Sequence, residues 1–276
     1  MKKITILTLI IAFAFISCDN FFSDSMGSSR DYNSRNIHLT TGNIGEWAQA
    51  TVGNPPLARA VMRSLQRRLA TATPEEMAIF LSYASMIAME ASGTGATLLI
   101  NATDLLGEFI REAGPQELVD NITDIIERMQ GDFEKSGGAD ASREFANTVA
   151  SGISIQDGTP TFSDAYIDSI QPSDVNDALL VLLLGELTFN DEFNVGNLSN
   201  IDAMGLKTTI ETTDSGHLQP SVQIKEGENP SPNAIAIAAY LNIIYHDETG
   251  KFDDNPITKA LGLALKSDPV TEEDND

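Results

Sequence analysis

From about residue 43 the apolar positions of this chain fall at helical spacing. Ile44, Trp47, Ala48 and Thr51 share one face. Gly53-Asn54-Pro55-Pro56 interrupts the pattern. A helix is predicted over 56–70, with Leu57, Ala60, Val61, Leu65 and Leu69 along one side. In Thr73-Pro74-Glu75-Glu76, Thr73 suits the N-cap, Pro74 the first helical position, and Glu76 completes a capping box. That helix should run to about Ala91, burying Met77, Phe80, Leu81, Ala84, Ile87 and Ala88, and Gly93 and Gly95 end it. Further helices are expected over 96–113, over 116–130 and, shorter, over 140–151.

Residues 152–172 are less regular. Gly152, Gly158, Thr159-Pro160 and Gln171-Pro172 punctuate them, which suits a long surface loop or a boundary between sub-domains. Pro172-Ser173-Asp174 opens the most apolar helix, nearly all hydrophobic from Ala178 to Leu184. A helix apolar all round is buried, and this run is too short to cross a bilayer. Residues 190–230 are rich in Asn, Gly, Thr and Ser, and a small β-hairpin is expected near 206–225, turning at Asp214-Ser215-Gly216. Pro232 opens the last long helix, Ala234 to Tyr245, almost continuously apolar and therefore central. A final amphipathic helix over 256–266 and an acidic tail over 267–276 complete the chain. The fold class is thus mainly α, an array of antiparallel helical hairpins joined by short connections. The prolines that open helices, Pro74, Pro115, Pro172 and Pro232, are unequally spaced, and no tetratricopeptide, HEAT or ankyrin signature is present.

The N-terminus has a different logic. Lys2 and Lys3 precede a mostly apolar run from Ile4 to Ile16, too short for a transmembrane helix and fitting a secretory signal. The run ends in Phe15-Ile16-Ser17-Cys18, which resembles the lipobox of bacterial lipoproteins, with Phe15 where leucine is usual, as in the looser lipoboxes of spirochaetes. The resemblance covers the first 18 residues. It implies a signal peptide over 1–17, lipidation of Cys18 with acyl chains such as palmitate, and anchoring to the cell envelope. The membrane is inner or outer, the face periplasmic or external. Cys18 is the only cysteine, so the chain forms no internal disulfide. Residues 18–42 read as the lipidated cysteine and a flexible tether, leaving an α-helical domain over 43–266.

Charge narrows the partners. Without Lys2 and Lys3, 15 of the 17 basic residues face 40 acidic ones, a balance of −25. That argues against nucleic acid and against tight docking on anionic lipid. Of the three histidines, His38 and His217 read as solvated, and His246 as sitting at the C-terminal end of the last long helix, where a cation is favoured. No pair of histidines has metal-ligand spacing, and no nucleophile elbow, phosphate loop or dinucleotide fingerprint occurs. Asp191 to Asp202 faintly resembles a calcium loop, but Phe193 and Val195 stand where oxygen ligands belong. Asp247 to Asp254 is a second acidic run and reads as a solvated loop.

No metal, cofactor or catalytic constellation is therefore expected. One cluster stands out: Arg59, Arg63, Arg67 and Arg68 lie on the 56–70 helix with no acid among them, the first three forming a stripe. Two readings apply: neutralisation by acids of neighbouring helices such as Glu75 or Glu76, or docking of an acidic partner or of the lipid headgroups near the tether. The functional expectation is a membrane-anchored helical binding or scaffold module, not an enzyme. The alternative is a transporter-associated lipoprotein that binds a small ligand in a cleft between helices. An envelope hydrolase ranks last.

Overall fold

The helices start where the sequence supplies caps. In the computed structural model, which describes residues 32–93, 130, 133–190, 193, 201–212, 218–247 and 251–252, α1 (Ile44–Ala50) is followed by α2 (Pro55–Leu69). The Asn54 side chain accepts the Leu57 amide at 3.2 Å, and Pro55 takes the first helical position. The capping box at α3 (Pro74–Ser82) is complete: Thr73 N donates to Glu76 Oε2 at 3.1 Å, and Glu76 N to Thr73 Oγ1 at 3.3 Å. The predicted single helix to Ala91 is instead broken at Tyr83, and α4 (Ala84–Ala91) resumes beyond it. Ser82 Oγ donates back to the Ile79 carbonyl at 2.8 Å, a bond of the kind that bends helices.

After α4 come α5 (Gly138–Val149), hairpin β1 (Ile153–Gln156) and β2 (Thr159–Phe162), α6 (Asp164–Ser169), α7 (Pro172–Phe189), hairpin β3 (Leu206–Thr212) and β4 (Leu218–Ile224), and α8 (Pro232–Tyr245). The fold is mainly α, and the hairpin expected near 206–225 is present, Leu206 pairing with Ile224 and Thr212 with Leu218. The signal peptide, Cys18, the helices expected over 96–113 and 256–266, the helix expected over 116–130 except Gln130, His217 and the tail lie outside the described residues.

Two expectations need correction. Residues 152–172 are neither a loop nor a bare connection: they form the β1–β2 hairpin and α6, and Phe162, Tyr166 and Ile170 are buried. Asp157 and Gly158 both have positive φ, 49° and 81°, as a two-residue turn of a twisted hairpin requires. The packed body also begins before residue 43. Arg67 Nη2 donates to the Ser34 carbonyl at 2.6 Å, Ser64 Oγ donates to the Ile37 carbonyl at 2.7 Å, and Ile37 and Leu39 are buried. Two apolar side chains and a carbonyl clamp thus bind a segment whose polar composition reads as spacer.

The core is organised on α7 and α8, the two helices apolar all round. α7 packs on α4, α5 and α8, and α8 packs on α7, β2 and β4. α5, α7 and α8 meet at Gly185, where an added Cβ would overlap Ser142 Oγ and come within 2.6 Å of Asn233 Nδ2. Only a residue without a side chain permits that approach. Asn233 Nδ2 donates to Ser142 Oγ at 2.9 Å, so the polar atoms at the crossing are paired. Ser231 does double duty at the start of α8. Its hydroxyl accepts the Ala234 amide at 3.0 Å and donates to the buried Glu186 carboxylate at 2.7 Å.

Both hairpins are fastened to α8 by one side chain. Asn242 Oδ1 accepts the Val222 amide at 2.7 Å, and its Nδ2 donates to the carbonyls of Val222 and Pro160, each at 2.9 Å. The hairpins also touch each other, Ile224 N donating to the Gly158 carbonyl at 2.8 Å. β2 and β4 each carry a proline, Pro160 and Pro220, with no amide to give to a sheet. The asparagine supplies the polar pairing that a wider sheet would otherwise provide.

Candidate functional site

The last turn of α8, the end of α6 and strand β2 enclose a cleft of about 570 Å3. Phe162, Ile167, Ala239, Ile243 and Phe252 supply apolar walls, and Asp168, His246, Asp247 and Lys251 bring charge and polarity. Asn242 lies in the wall with its amide already committed to the two hairpins, so it holds the cleft's shape. Lys251 Nζ donates to the Ile167 and Asp168 carbonyls at 3.0 and 3.2 Å, the open carbonyls of the last turn of α6. Asp247 Oδ2 accepts the amide of Phe252, next to Lys251 in the chain, at 2.9 Å.

Beneath this cleft lies an aromatic floor. The Tyr166 and Tyr240 hydroxyls are 2.9 Å apart, and the Phe162 ring is tilted against both, at centroid distances of 4.6 and 4.9 Å. Burial pushes both phenols well above their ordinary range, so they stay neutral and serve as a packed, mutually hydrogen-bonded base.

A group of carboxylates that sequence reasoning did not single out gathers near the start of α7. Asp174 caps the helix, accepting the Gln171 amide at 3.0 Å; burial raises its carboxyl above the ordinary range, against the lowering by that amide and by the Lys251 charge. One turn on, Asp177 is pushed up to about 7, first by burial and then by the like charges of Asp174 and Glu90. Glu90, from α4, is raised by burial and accepts the Gly53 amide at 2.9 Å. Asp174 and Asp177 are three apart on one helix, a spacing that puts them on one face. Glu90 comes from 84 residues away, so no local pattern announces the group. Among the described residues, no group of histidine, cysteine and carboxylate side chains has the geometry to hold a metal ion.

The arginines of α2 are engaged by the chain's own groups, Arg59 and Arg68 half-buried and Arg63 and Arg67 at exposed positions. Arg59 Nε donates to the Ala91 carbonyl at 3.0 Å, closing the end of α4, and its Nη2 donates to the Ser136 carbonyl. Arg63 pairs with Glu144 at 3.1 Å, Arg68 with Glu76 at 2.7 Å, and Arg67 holds Ser34. Glu76, one of the two acids expected to neutralise the stripe, is such a partner, and Glu75 is not paired with an arginine among the described residues. A smaller groove of about 300 Å3 between α2 and α5 is lined by Arg59, Arg63, Arg143, Asp140 and Glu144. Its charges are mixed and already in part engaged, Arg143 lying 4.2 Å from the centroid of Phe189 and 3.8 Å from Asp140.

His38 is exposed, and His246 is the C-cap of α8, exposed at the rim of the cleft. Among the described residues, no helix is long and apolar enough to cross a membrane. No family model, curated protein or solved structure matches this chain.

Proposed function

We propose that this protein is a lipid-anchored binding module of the bacterial cell envelope, and that it holds a small molecule in the cleft between β2, α6 and α8. The cleft carries the proposal. Its volume of about 570 Å3 lies inside the roughly 300–1,000 Å3 of small-molecule sites, which pair apolar walls with a few polar groups. This favours the ligand-binding reading over a scaffold built on the arginine stripe, because those guanidinium groups already serve the chain's own carbonyls and carboxylates. The anchor rests on the apolar run ending at Cys18, a context in which a lone cysteine serves as the acylation point.

Two experiments test the two halves. Metabolic labelling with palmitate should mark the wild-type protein in the membrane fraction. Cys18→Ser should leave it unlabelled, and a variant that stays mature and membrane-bound would remove the anchor from the proposal. For the cleft, native mass spectrometry of the protein released in mild detergent should detect a co-purifying small molecule. Thr161→Trp, which fills the cleft from β2, should abolish it. Crosslinking to one membrane protein in a manner indifferent to Thr161→Trp, with no small molecule bound, would return the scaffold reading to first place.

A further inference from the structure

Resting on the cleft as a binding site, we infer that its ligand is an organic cation: a primary or secondary amine carried on an apolar body. The chemistry of the walls points that way. α8 ends at the cleft, and the C-terminal end of a 14-residue helix presents the negative pole of its dipole. Asp168 and Asp247 add two carboxylates. Asp168 is exposed at the rim, and its backbone carbonyl accepts from Lys251.

The wall already holds one cation. The Lys251 ammonium lies on the Ile167 and Asp168 carbonyls at 3.0 and 3.2 Å, with its stem along the cleft. An alkylammonium is thus already held there by backbone oxygens. An anionic ligand would have to draw on that same ammonium, which the two carbonyls and Asp174 already engage, while facing two carboxylates. A cationic ligand meets the two carboxylates and the helix pole, with the Lys251 ammonium held aside on the α6 carbonyls, and its apolar body finds Phe162, Ile243 and Phe252. The chain's charge of −23 concentrates cations near its surface and reinforces the choice.

Three probes of one shape and different charge separate the possibilities: tryptamine, its alcohol analogue tryptophol, and indolepropionate, titrated calorimetrically into the mature chain at low and moderate salt. Tryptamine should bind at least about tenfold more tightly than indolepropionate, a difference of about 1.4 kcal/mol, and should weaken with salt. Asp168→Asn, at an exposed position where folding is not at stake, should weaken tryptamine about three- to fivefold and leave tryptophol unchanged, as befits a partly solvated ion pair. Thr161→Trp should abolish binding of all three. If indolepropionate equals or exceeds tryptamine and Thr161→Trp blocks both, the cleft reading stands and the cation inference falls. If none of the probes binds, or Thr161→Trp changes nothing, both fall. Should Thr161→Trp fold poorly by circular dichroism, the charge series with Asp168→Asn still decides the cation inference.

Discussion

Replacing Asn242 with leucine tests how this protein holds its β-hairpins. The side chain is buried, and its three hydrogen bonds reach the Val222 amide, the Val222 carbonyl and the Pro160 carbonyl, at 2.7, 2.9 and 2.9 Å. Leucine has similar volume and fills the space, so the cavity contribution is small. The cost comes from three backbone groups left without partners. A buried group so orphaned costs about 1–3 kcal/mol, more than the net worth of the bond itself. Partial hydration and hairpin shifts reduce the total, so the loss should be about 3–5 kcal/mol, a large share of the roughly 5–15 kcal/mol by which domains are stable. Urea unfolding followed by circular dichroism measures it, and amide exchange at Val222 localises it. Exchange there should quicken strongly, while α5 and α7 change less. A loss under about 1 kcal/mol, or unchanged protection at Val222, would show that packing alone seats the hairpins. Asn242→Asp sharpens the comparison, because it keeps the acceptor for the Val222 amide and puts an oxygen where Asn242 donates to two carbonyls.

Three other outcomes are expected. Asp177, raised from 3.8 to about 7 in the folded chain, makes folding less favourable as pH climbs from about 4 to about 7, because the unfolded chain releases its proton first. Asp177→Asn should therefore stabilise the protein at pH 8 by up to about 4 kcal/mol and leave it nearly unchanged near pH 4. Equal effects at the two pH values would mean the carboxylate is solvated. Gly185→Ala gains about 1 kcal/mol of helix propensity but forces apart α5, α7 and α8 at Ser142 and Asn233. The net loss should be about 2–3 kcal/mol or more, and a melting temperature at or above wild type would show that the crossing relaxes freely. Arg59→Lys keeps the charge but cannot reach the Ala91 and Ser136 carbonyls together; it should cost about 1–3 kcal/mol, whereas Arg63→Lys, at an exposed pair, should cost about 0–1 kcal/mol.

What the sequence alone determined is the local structure. Helix starts at Asn54, Thr73 and Ser231 are legible because a cap is a contact between residues three apart, written in consecutive letters. Burial of α7 and α8 is legible because their apolar character has no polar face to expose. The Asp157-Gly158 turn was also legible, since that dipeptide suits two consecutive positive-φ residues. The nearby glycines and Pro160 masked it by suggesting irregular chain. The tertiary structure alone decided the rest. It joined Glu90 to Asp177, set Arg59 and Arg67 on backbone carbonyls and Arg63 on Glu144, brought Lys251 to the end of α6, and drew Ile37 into the core. Each of these couples residues distant in sequence. A side chain's pKa and its availability to a partner depend on what burial and long-range packing place beside it, and no run of neighbouring letters contains that information.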